Sequence, residues 1–331
     1  MMPTVDVLTE GRAASARRTL RATFVVNPNA RGVPSPERLM LAPAWLRVAG
    51  WQTAVEYTRG PGHATELARA AAAAGVGVVV AVGGDGTVNE VVNGLVGTDT
   101  ALAVLPCGTA NVWAREIGMP HAPDRAAAAI HRGWLRRVDT GRVGSRHFLL
   151  MASLGLDSQV AALVEPLRKR RWGALAYAGR GLREAIAYTS HRAMVWLDGQ
   201  RLDCNLMVMV VGNTRSYGGV LQVTNEARVD DGLLDVVVYN GSGVNRLLRH
   251  LARTLLGRHA NTGESVYTQA REIRVELPRP LPVQADGDVV GSTPVEIICA
   301  PGSLWAVVPR TYRGPLFRRQ LAATLEPVAR R

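Results

Sequence analysis

Lysine is almost absent from this chain. Among 331 residues there is one lysine, Lys169, and it lies in the arginine-rich run 168–171. A Walker A loop requires Gly-Lys-Ser/Thr, a protein kinase requires a strand lysine, and a Schiff-base enzyme requires a buried lysine amine. The residues around Lys169 match none of these patterns, so the sequence argues against all three classes.

Cysteine and histidine are sparse and scattered. The three cysteines, Cys107, Cys204 and Cys299, form no C-x-x-C pair. Their spacing argues against a zinc site and a disulfide framework, and it is typical of a protein in a reducing cytoplasm. The seven histidines include no H-E-x-x-H motif, so a metallohydrolase of that type is not expected.

No apolar run is long enough to span a membrane as a helix. The longest run, residues 70–84, has about 15 residues, whereas a transmembrane helix needs about 20. The first 20 residues contain no apolar signal segment, and we expect them to be flexible. The missing run therefore predicts a protein that is either soluble or peripheral to a membrane. The localisation that we expect is cytoplasmic, peripheral at the inner face of the membrane.

Positive charge is in excess, and the net charge is +12. This excess favours an anionic partner, such as a membrane surface, a nucleic acid or a polyphosphate ligand. Solubility alone explains it equally well. Because no nucleic-acid recognition motif accompanies the charge, nucleic acid is not expected as a partner.

Two domains are expected from the length and from a change of pattern near residue 138. Alternating strand and helix patterns predict an open parallel α/β sheet over 21–138. Short apolar runs then predict a β-rich domain over 139–302, and we expect 303–331 to return to the first domain. The predicted strands are 23–26, 51–58, 77–82, 101–105, 148–154, 193–197, 206–211, 233–239, 273–277 and 295–298. The predicted helices are 36–48, 65–74, 87–95, 112–117, 173–189 and 244–256.

Three polar loops that contain glycine, 27–32, 83–87 and 106–111, each follow a predicted strand and precede a predicted helix. The carboxyl ends of parallel strands meet at one edge of a sheet, where ligands bind. We therefore expect the three loops to lie together.

The loop Gly83-Gly84-Asp85-Gly86-Thr87 carries the clearest chemical pattern. Glycines bring backbone amides close to an oxyanion, and the helix that follows adds its positive N-terminal end. Asp85 in such an anion site implies a Mg²⁺ ion, since a carboxylate would otherwise repel the phosphates. A plain glycine-rich turn between a strand and a helix is the alternative.

Residues 83–95, GGDGTVNEVVNGL, resemble the motif of the diacylglycerol kinase catalytic family, which includes sphingosine kinases and bacterial lipid kinases. Kinases of NAD and of fructose phosphate share the GGDG loop, whereas the Asn89-Glu90 pair favours the lipid branch. The resemblance implies an α/β domain of NAD kinase/phosphofructokinase type followed by a β-sandwich-like domain.

The resemblance extends to the other two loops and implies a nucleotide site. Residues 105–116, LPCGTANVWARE, are similar to the family's third loop, although many members have Asp where this chain has Val112. The residues that would contact ATP and its Mg²⁺ are Asn27, Pro28, Asn29, Thr58, Gly83, Gly84, Asp85, Gly86, Thr87, Asn89, Glu90, Gly108 and Thr109.

The second half of the chain resembles the family at residues 212–219 and at 227–235, ARVDDGLLD. The resemblance implies a structural Mg²⁺ held by the Asp231 carboxylate and the backbone carbonyls of Arg228 and Leu233. A hard cation prefers such oxygen ligands. An Asp-Gly turn that joins two strands explains the same residues without a metal.

Asp286-Gly287-Asp288 provides the candidate general base. The family has Asp-Gly-Glu here, and its second acid is taken as the base, so Asp288 matches that position with a side chain shorter by one methylene. Asp288 is ranked first as the base and Asp286 second, with Asp85 as the acid that organises the catalytic Mg²⁺. An ordinary hairpin turn is the alternative.

The resemblance therefore implies a kinase that transfers the γ-phosphoryl group of ATP to a lipid hydroxyl, with Mg²⁺. The alternatives are a kinase of NAD type that acts on a soluble substrate, and a nucleotide- or lipid-binding regulator without catalysis. The basic segment 168–183 would contact an anionic membrane or form a solvated helix face. The resemblance implies that Gly155-Leu156-Asp157 lines the side of the site that faces the lipid. A homodimer is compatible with the sequence.

Overall fold

The computed structural model describes residues 20–156, 158, 190–219, 221–318 and 326–327. Several features predicted from the sequence lie outside these residues. They are the flexible segment up to residue 19, Asp157, the basic segment 168–183 and the helix 173–189.

The first part of the chain is a parallel sheet covered by helices. Its strands β1 to β4 lie in the order β4-β3-β1-β2, and every pair is parallel. All residues of β3 and β4 are buried, which is typical of a parallel sheet covered on both faces. The strands are Arg21–Val26, Gln52–Tyr57, Val78–Gly83 and Ala101–Pro106. The helices α1 to α6 are Pro36–Leu39, Leu41–Val48, His63–Ala73, Asp85–Leu95, Val112–Glu116 and Pro123–Arg132.

The helix predicted over 36–48 is divided at Met40 into α1 and α2. Pro43 explains the division, because its ring would clash with the carbonyl of Leu39 in one continuous helix. The other predicted elements of this part agree with the observed ones to within two residues at each end.

The described residues of the second part form a sandwich of mainly antiparallel strands, with the helix Val244–Leu255 packed against it. Its interior contains apolar side chains from several strands, among them Val195, Met209, Val236 and Ile273. The strands β5 to β18 are Trp134–Val143, Arg146–Phe148, Met151–Gly155, His191–Leu197, Gln200–Gly212, Ser216–Tyr217, Leu221–Gln222, Leu234–Asn240, Ser265–Ala270, Glu272–Glu276, Pro282–Ala285, Asp288–Ser292, Val295–Val308 and Glu326–Pro327. The helix α7 is Val244–Leu255. The α/β sheet and the β sandwich predicted from the sequence are thus both present.

Two long strands, β5 and β17, connect the two parts. They pair antiparallel along most of their length, and Trp305 and Ala306 of β17 also pair in parallel with β4. One continuous sheet therefore runs from the parallel strands into the sandwich. The boundaries proposed at 138 and 302 fall inside β5 and β17, so the two parts share strands at these positions.

No helix in the described part of the chain is both long enough and apolar enough to cross a bilayer.

Candidate active site

The three glycine-bearing loops meet at the carboxyl edge of the parallel sheet. Asn27 follows β1, and its Nδ2 donates to Oγ1 of Thr87 in α4 at 3.1 Å. The backbone N–H of Gly32 donates to the carbonyl of Cys107 at 2.8 Å. These contacts confirm that the first loop borders both of the others.

The second and third loops pack backbone against backbone at Gly84 and Gly108. A Cβ atom on Gly108 would lie 2.5 Å from the Cα of Gly84, which is too close for any side chain. At Gly86, by contrast, a Cβ would meet no protein atom within 4 Å, and the residue is exposed. The open side of the glycine loop is therefore at Gly86.

Asp85 links the second loop to the third. Its Oδ1 accepts the backbone N–H of Val112 at 2.7 Å, at the N-terminus of α5. Burial raises the pKa of Asp85, and the backbone N–H groups of Val112 and Asn111 oppose that rise. Oδ1, one oxygen of the predicted Mg²⁺ ligand, is thus engaged by the protein backbone. Val112, where the family resemblance led us to expect an acid, supplies the backbone N–H that Asp85 accepts.

The remaining residues predicted to contact the nucleotide lie in these loops or beside them. Pro28, Asn29 and Thr109 are exposed, and Thr58 is half-buried at the end of β2. The N–H of Thr58 donates to the carbonyl of Val26 at 2.8 Å, which fixes this residue beside the first loop.

Glu90 is placed differently from the other residues of its motif. Its Oε2 accepts the backbone N–H of Ala64 at 3.1 Å, and its carbonyl accepts the hydroxyl of Thr65 at 2.8 Å. The close approach of α3 and α4 depends on Gly94, where a Cβ would lie 2.6 Å from the carbonyl oxygen of Thr65. Glu90 therefore completes the N-terminus of α3, a role in the fold that its position in the motif did not indicate.

Two asparagines on α4 connect the glycine loop to the sandwich. Asn89 is buried, and its Nδ2 donates to Oδ2 of Asp286 at 2.7 Å and to the carbonyl of His147 at 3.0 Å. Nδ2 of Asn93 donates to the same carbonyl at 2.9 Å, and its Oδ1 accepts the N–H of His147 at 2.9 Å. The two halves of the predicted site thus meet through direct hydrogen bonds.

The carboxylate of Asp286 accepts four N–H groups. Three come from the backbone of consecutive residues that end at the start of β7: Leu149 at 2.8 Å, Leu150 at 3.0 Å and Met151 at 3.0 Å. The fourth comes from Asn89. Burial raises the pKa of Asp286 to about 6, against these donors, which favour the ionised form. The strand predicted over 148–154 is interrupted here because its N–H groups turn towards this carboxylate.

Asp288, the other candidate base, lies in a more open position. Its side chain is 45% exposed, and Oδ2 lies 3.5 Å from Nη2 of Arg146. Within the described residues, its carboxylate accepts no backbone N–H. Of the two acids in the turn, Asp288 is therefore the one a substrate can reach.

Acidic side chains gather beside the turn 228–233. Asp139 accepts the N–H of Gly302 at 2.6 Å and that of Gly232 at 2.7 Å. Burial raises the pKa of Asp139 against these two donors, and the carboxylates of Asp231 and Asp230 add to the rise. A cation at the turn would relieve this repulsion.

The predicted ligands of that cation include one carboxylate with a free oxygen. Asp231 uses Oδ1 to accept the N–H of Leu233 at 3.0 Å. Oδ2 of Asp230 is buried without a hydrogen bond, with Nη2 of Arg136 at 3.6 Å. Within the described residues, no three His, Cys, Asp or Glu side chains are grouped to hold a metal. The turn therefore fits a Mg²⁺ ion only if backbone carbonyls complete the ligand set.

Comparison with known proteins agrees with this geometry. Residues 21–143 match the diacylglycerol kinase catalytic domain, and residues 151–308 match the YegS C-terminal NAD kinase beta sandwich-like domain. A diacylglycerol kinase of Mycobacterium tuberculosis H37Rv is 35% identical over 266 residues, which cover 77% of this chain and 85% of that protein.

The chain belongs to the diacylglycerol kinase family of lipid kinases.

Two further relatives extend the comparison of this lipid kinase over almost its whole length. A diacylglycerol kinase of Bacillus subtilis is 28% identical over 293 residues, which cover 88% of this chain and 97% of that protein. A crystal structure of a diacylglycerol kinase from Bacillus anthracis superimposes with a TM-score of 0.70 at 22% identity, over 89% of this chain and 99% of that one. At that identity the structure supports the shared fold alone.

Three residues of the kinase that contact the site were missed from the sequence. Asn93 could have been found, because it lies four positions after Asn89 and so shares a face of α4. Arg146 and His147 gave no signal, since their partners lie far away in the chain.

The position of Glu90 leads to a prediction. Glu90→Ala should lower the free energy of unfolding by about 1 kcal/mol, as the loss of a helix cap does, while the KM for ATP changes by less than about twofold. Urea denaturation and steady-state kinetics measure both. Glu90→Gln keeps an oxygen acceptor for Ala64 and should recover most of the stability. A large rise in KM with unchanged stability would instead return Glu90 to the nucleotide site.

Proposed function

We propose that this kinase transfers the γ-phosphoryl group of ATP to the hydroxyl group of diacylglycerol or a related lipid. The observation that carries the proposal is the 2.7 Å hydrogen bond between Asn89 and Asp286. It holds the glycine loop beside the Asp286-Gly287-Asp288 turn, so a phosphate donor on one side can face an acceptor on the other. Phosphoryl transfer depends mainly on such positioning and on charge neutralisation.

The phosphates of ATP would lie at the open side of the glycine loop. Gly86 leaves space there, and α4 directs its N-terminal amides to the same place. Asn27 and Thr87, already joined by a hydrogen bond, would flank the phosphates. Backbone amides can hold the phosphates without a lysine, as the composition of this chain requires.

The Asp85 carboxylate, next to the open side of the glycine loop, would hold a Mg²⁺ ion there. The ion would neutralise negative charge on the phosphates. A second, structural Mg²⁺ would be held by Asp231 with the carbonyls of Arg228 and Leu233. The Asp139 carboxylate beside that turn, which accepts the N–H of Gly232, supports it.

Asp288 is the better candidate for the general base, since its carboxylate is accessible and carries no backbone hydrogen bonds. It would accept the proton of the lipid hydroxyl as the oxygen–phosphorus bond forms. Arg146 beside it can offset negative charge near the transferring group. Asp286, with all four of its hydrogen bonds directed to N–H groups, would hold the turn in place.

The acceptor is tested by incubating the purified protein with Mg²⁺, γ-labelled ATP and a panel of acceptors. The panel contains diacylglycerol, a sphingoid base, ceramide, phosphatidylglycerol and NAD. Label in a lipid, with none in NAD, is expected. Label in NAD would favour a soluble-substrate kinase of NAD type, and the absence of label in any acceptor would favour a non-catalytic regulator.

Gly86→Ala separates ligand binding from folding. A methyl group at Gly86 meets no protein atom, so the free energy of unfolding should change by less than about 1 kcal/mol. The same methyl would occupy space needed by the phosphates, and the Kd for ATP should rise by about tenfold or more. Isothermal titration calorimetry measures the affinity. Unchanged affinity for ATP in a folded variant would place the phosphates elsewhere.

A further inference from the structure

Large apolar side chains are exposed on one helix of the sandwich. Leu248, Leu251, Leu255 and Leu256, here called the leucine face, are 56%, 40%, 64% and 68% exposed. The first three recur at i, i+3 and i+7 of α7, so they form one stripe along the helix. The other large exposed apolar residues in the described part of the chain, Leu41, Val48 and Tyr57, lie on α2 and β2.

Contacts on the face of α7 that packs against the sandwich fix the orientation of this helix. His250 Nε2 lies 3.1 Å from the carbonyl of Asn240, and the hydroxyls of Thr254 and Tyr239 are 2.7 Å apart. These side chains attach the inner face of the helix to β12. The leucine face is therefore directed towards solvent. It cannot be buried by a rotation of α7 without breaking the contacts of His250 and Thr254.

Arginines border the leucine face on one side. Arg246, Arg249 and Arg253 all pair with Glu264, at 3.5, 2.7 and 2.8 Å, and so leave an excess of positive charge along the helix. Arg258 adds an exposed cation just beyond its end. An apolar stripe beside a cationic one is the arrangement that binds an anionic lipid surface.

The helix is connected to elements that reach the candidate active site. Leu247 of α7 packs against Met207 and against Leu156, which directly follows β7. At the other end of β7, the backbone N–H of Met151 donates to Asp286. The C-terminal half of α7 lies beside β11, whose partner strand β10 contacts α5 of the nucleotide site. A membrane-binding surface on α7 would thus be connected through packed elements to the candidate active site.

We propose that the leucine face of α7 docks on an anionic bilayer and brings the kinase to its lipid substrate. The inference rests on the proposed function, because a lipid acceptor is what makes contact with a bilayer necessary. Leucine side chains enter the boundary between headgroups and acyl chains, while the neighbouring guanidinium groups bind anionic headgroups.

The test is co-sedimentation of the full chain with vesicles of phosphatidylcholine, with or without about one-third phosphatidylglycerol. Wild type should bind the anionic vesicles at least about tenfold more tightly than the neutral ones. Leu251→Gln/Leu255→Gln should reduce binding to the anionic vesicles by about tenfold or more, since two apolar anchors are lost. Glutamine is a good helix former, so α7 should persist, and circular dichroism checks this.

Leu41→Gln/Val48→Gln is the matched control, because it removes comparable exposed apolar area from α2. It should bind vesicles as wild type does. Turnover of vesicle-embedded diacylglycerol should fall in the α7 variant far more than turnover of diacylglycerol dispersed in detergent micelles, where no bilayer has to be reached.

Equal vesicle binding by wild type and the α7 variant would overturn the proposal. So would loss of self-association in that variant, measured by analytical ultracentrifugation, because the leucine face would then be a contact between two copies of the chain. If wild type binds vesicles through the leucine face but phosphorylates no lipid in either form, the proposed function fails and the docking surface stands.

Discussion

Asp288→Asn should lower kcat for lipid phosphorylation by about 10²-fold or more, while the KM for ATP stays within about twofold of wild type. Asparagine has nearly the same shape and cannot accept a proton, so the change removes the base and little else. The exposed position of Asp288, without backbone hydrogen bonds, means that folding should be unaffected. Steady-state kinetics with varied ATP and saturating lipid measure the two constants.

Asp203→Asn is the matched control for this substitution. Asp203 is also exposed and also pairs with an arginine, Arg201, at 2.9 Å, but it lies on β9 at the hairpin with β8. Its replacement should leave kcat unchanged. If Asp288→Asn keeps kcat within about threefold of wild type, Asp288 is not the base, and the role passes to Asp286.

Asp286→Asn should be more damaging, since it should lower both stability and kcat. An amide has one oxygen acceptor, so its NH₂ group would face N–H donors that now bind a carboxylate oxygen. Each buried donor left without a partner costs about 1–3 kcal/mol, so we expect a loss of at least about 2 kcal/mol in the free energy of unfolding. The turn after β6 and the Asn89 contact would loosen together, which should lower kcat by at least about tenfold.

Asp198→Asn controls for the backbone and for the chemistry of the change. Both acids have a positive φ, 48° at Asp286 and 47° at Asp198, a conformation that asparagine tolerates well. Asp198 also accepts backbone N–H groups, from Arg271 and Glu272, but it lies exposed on a turn. Its variant should be destabilised less and should keep full activity. Equal effects of the two substitutions would contradict the proposed role of Asp286.

The fold could be predicted largely because its signals are local. Alternating strand and helix patterns indicated the parallel sheet, and the rule that loops of such a sheet share one edge brought residues 27, 84 and 107 together. The position of the domain boundary was harder to predict from the sequence. Strands β5 and β17 belong to both parts, so their apolar pattern continues through residues 138 and 302 without a break.

The candidate site was predictable in its residue types and less so in their contacts. Asp85 was chosen for its chemistry and Asp286 through the family resemblance, but the N–H groups that each accepts come from other parts of the chain. Glu90 was assigned to the nucleotide through the family resemblance of its motif. On the helix it faces α3, and no sequence pattern showed that α3 has its N-terminus there.

The acceptor chemistry of the site is tested most directly by comparing two labels in ATP. The purified protein is incubated with Mg²⁺ and diacylglycerol in anionic vesicles, once with γ-labelled and once with α-labelled ATP, and the extracted lipid is counted. We expect label in the lipid from γ-labelled ATP alone, and loss of this label in Asp288→Asn. No lipid label from either form of ATP, across the lipid panel, would contradict it.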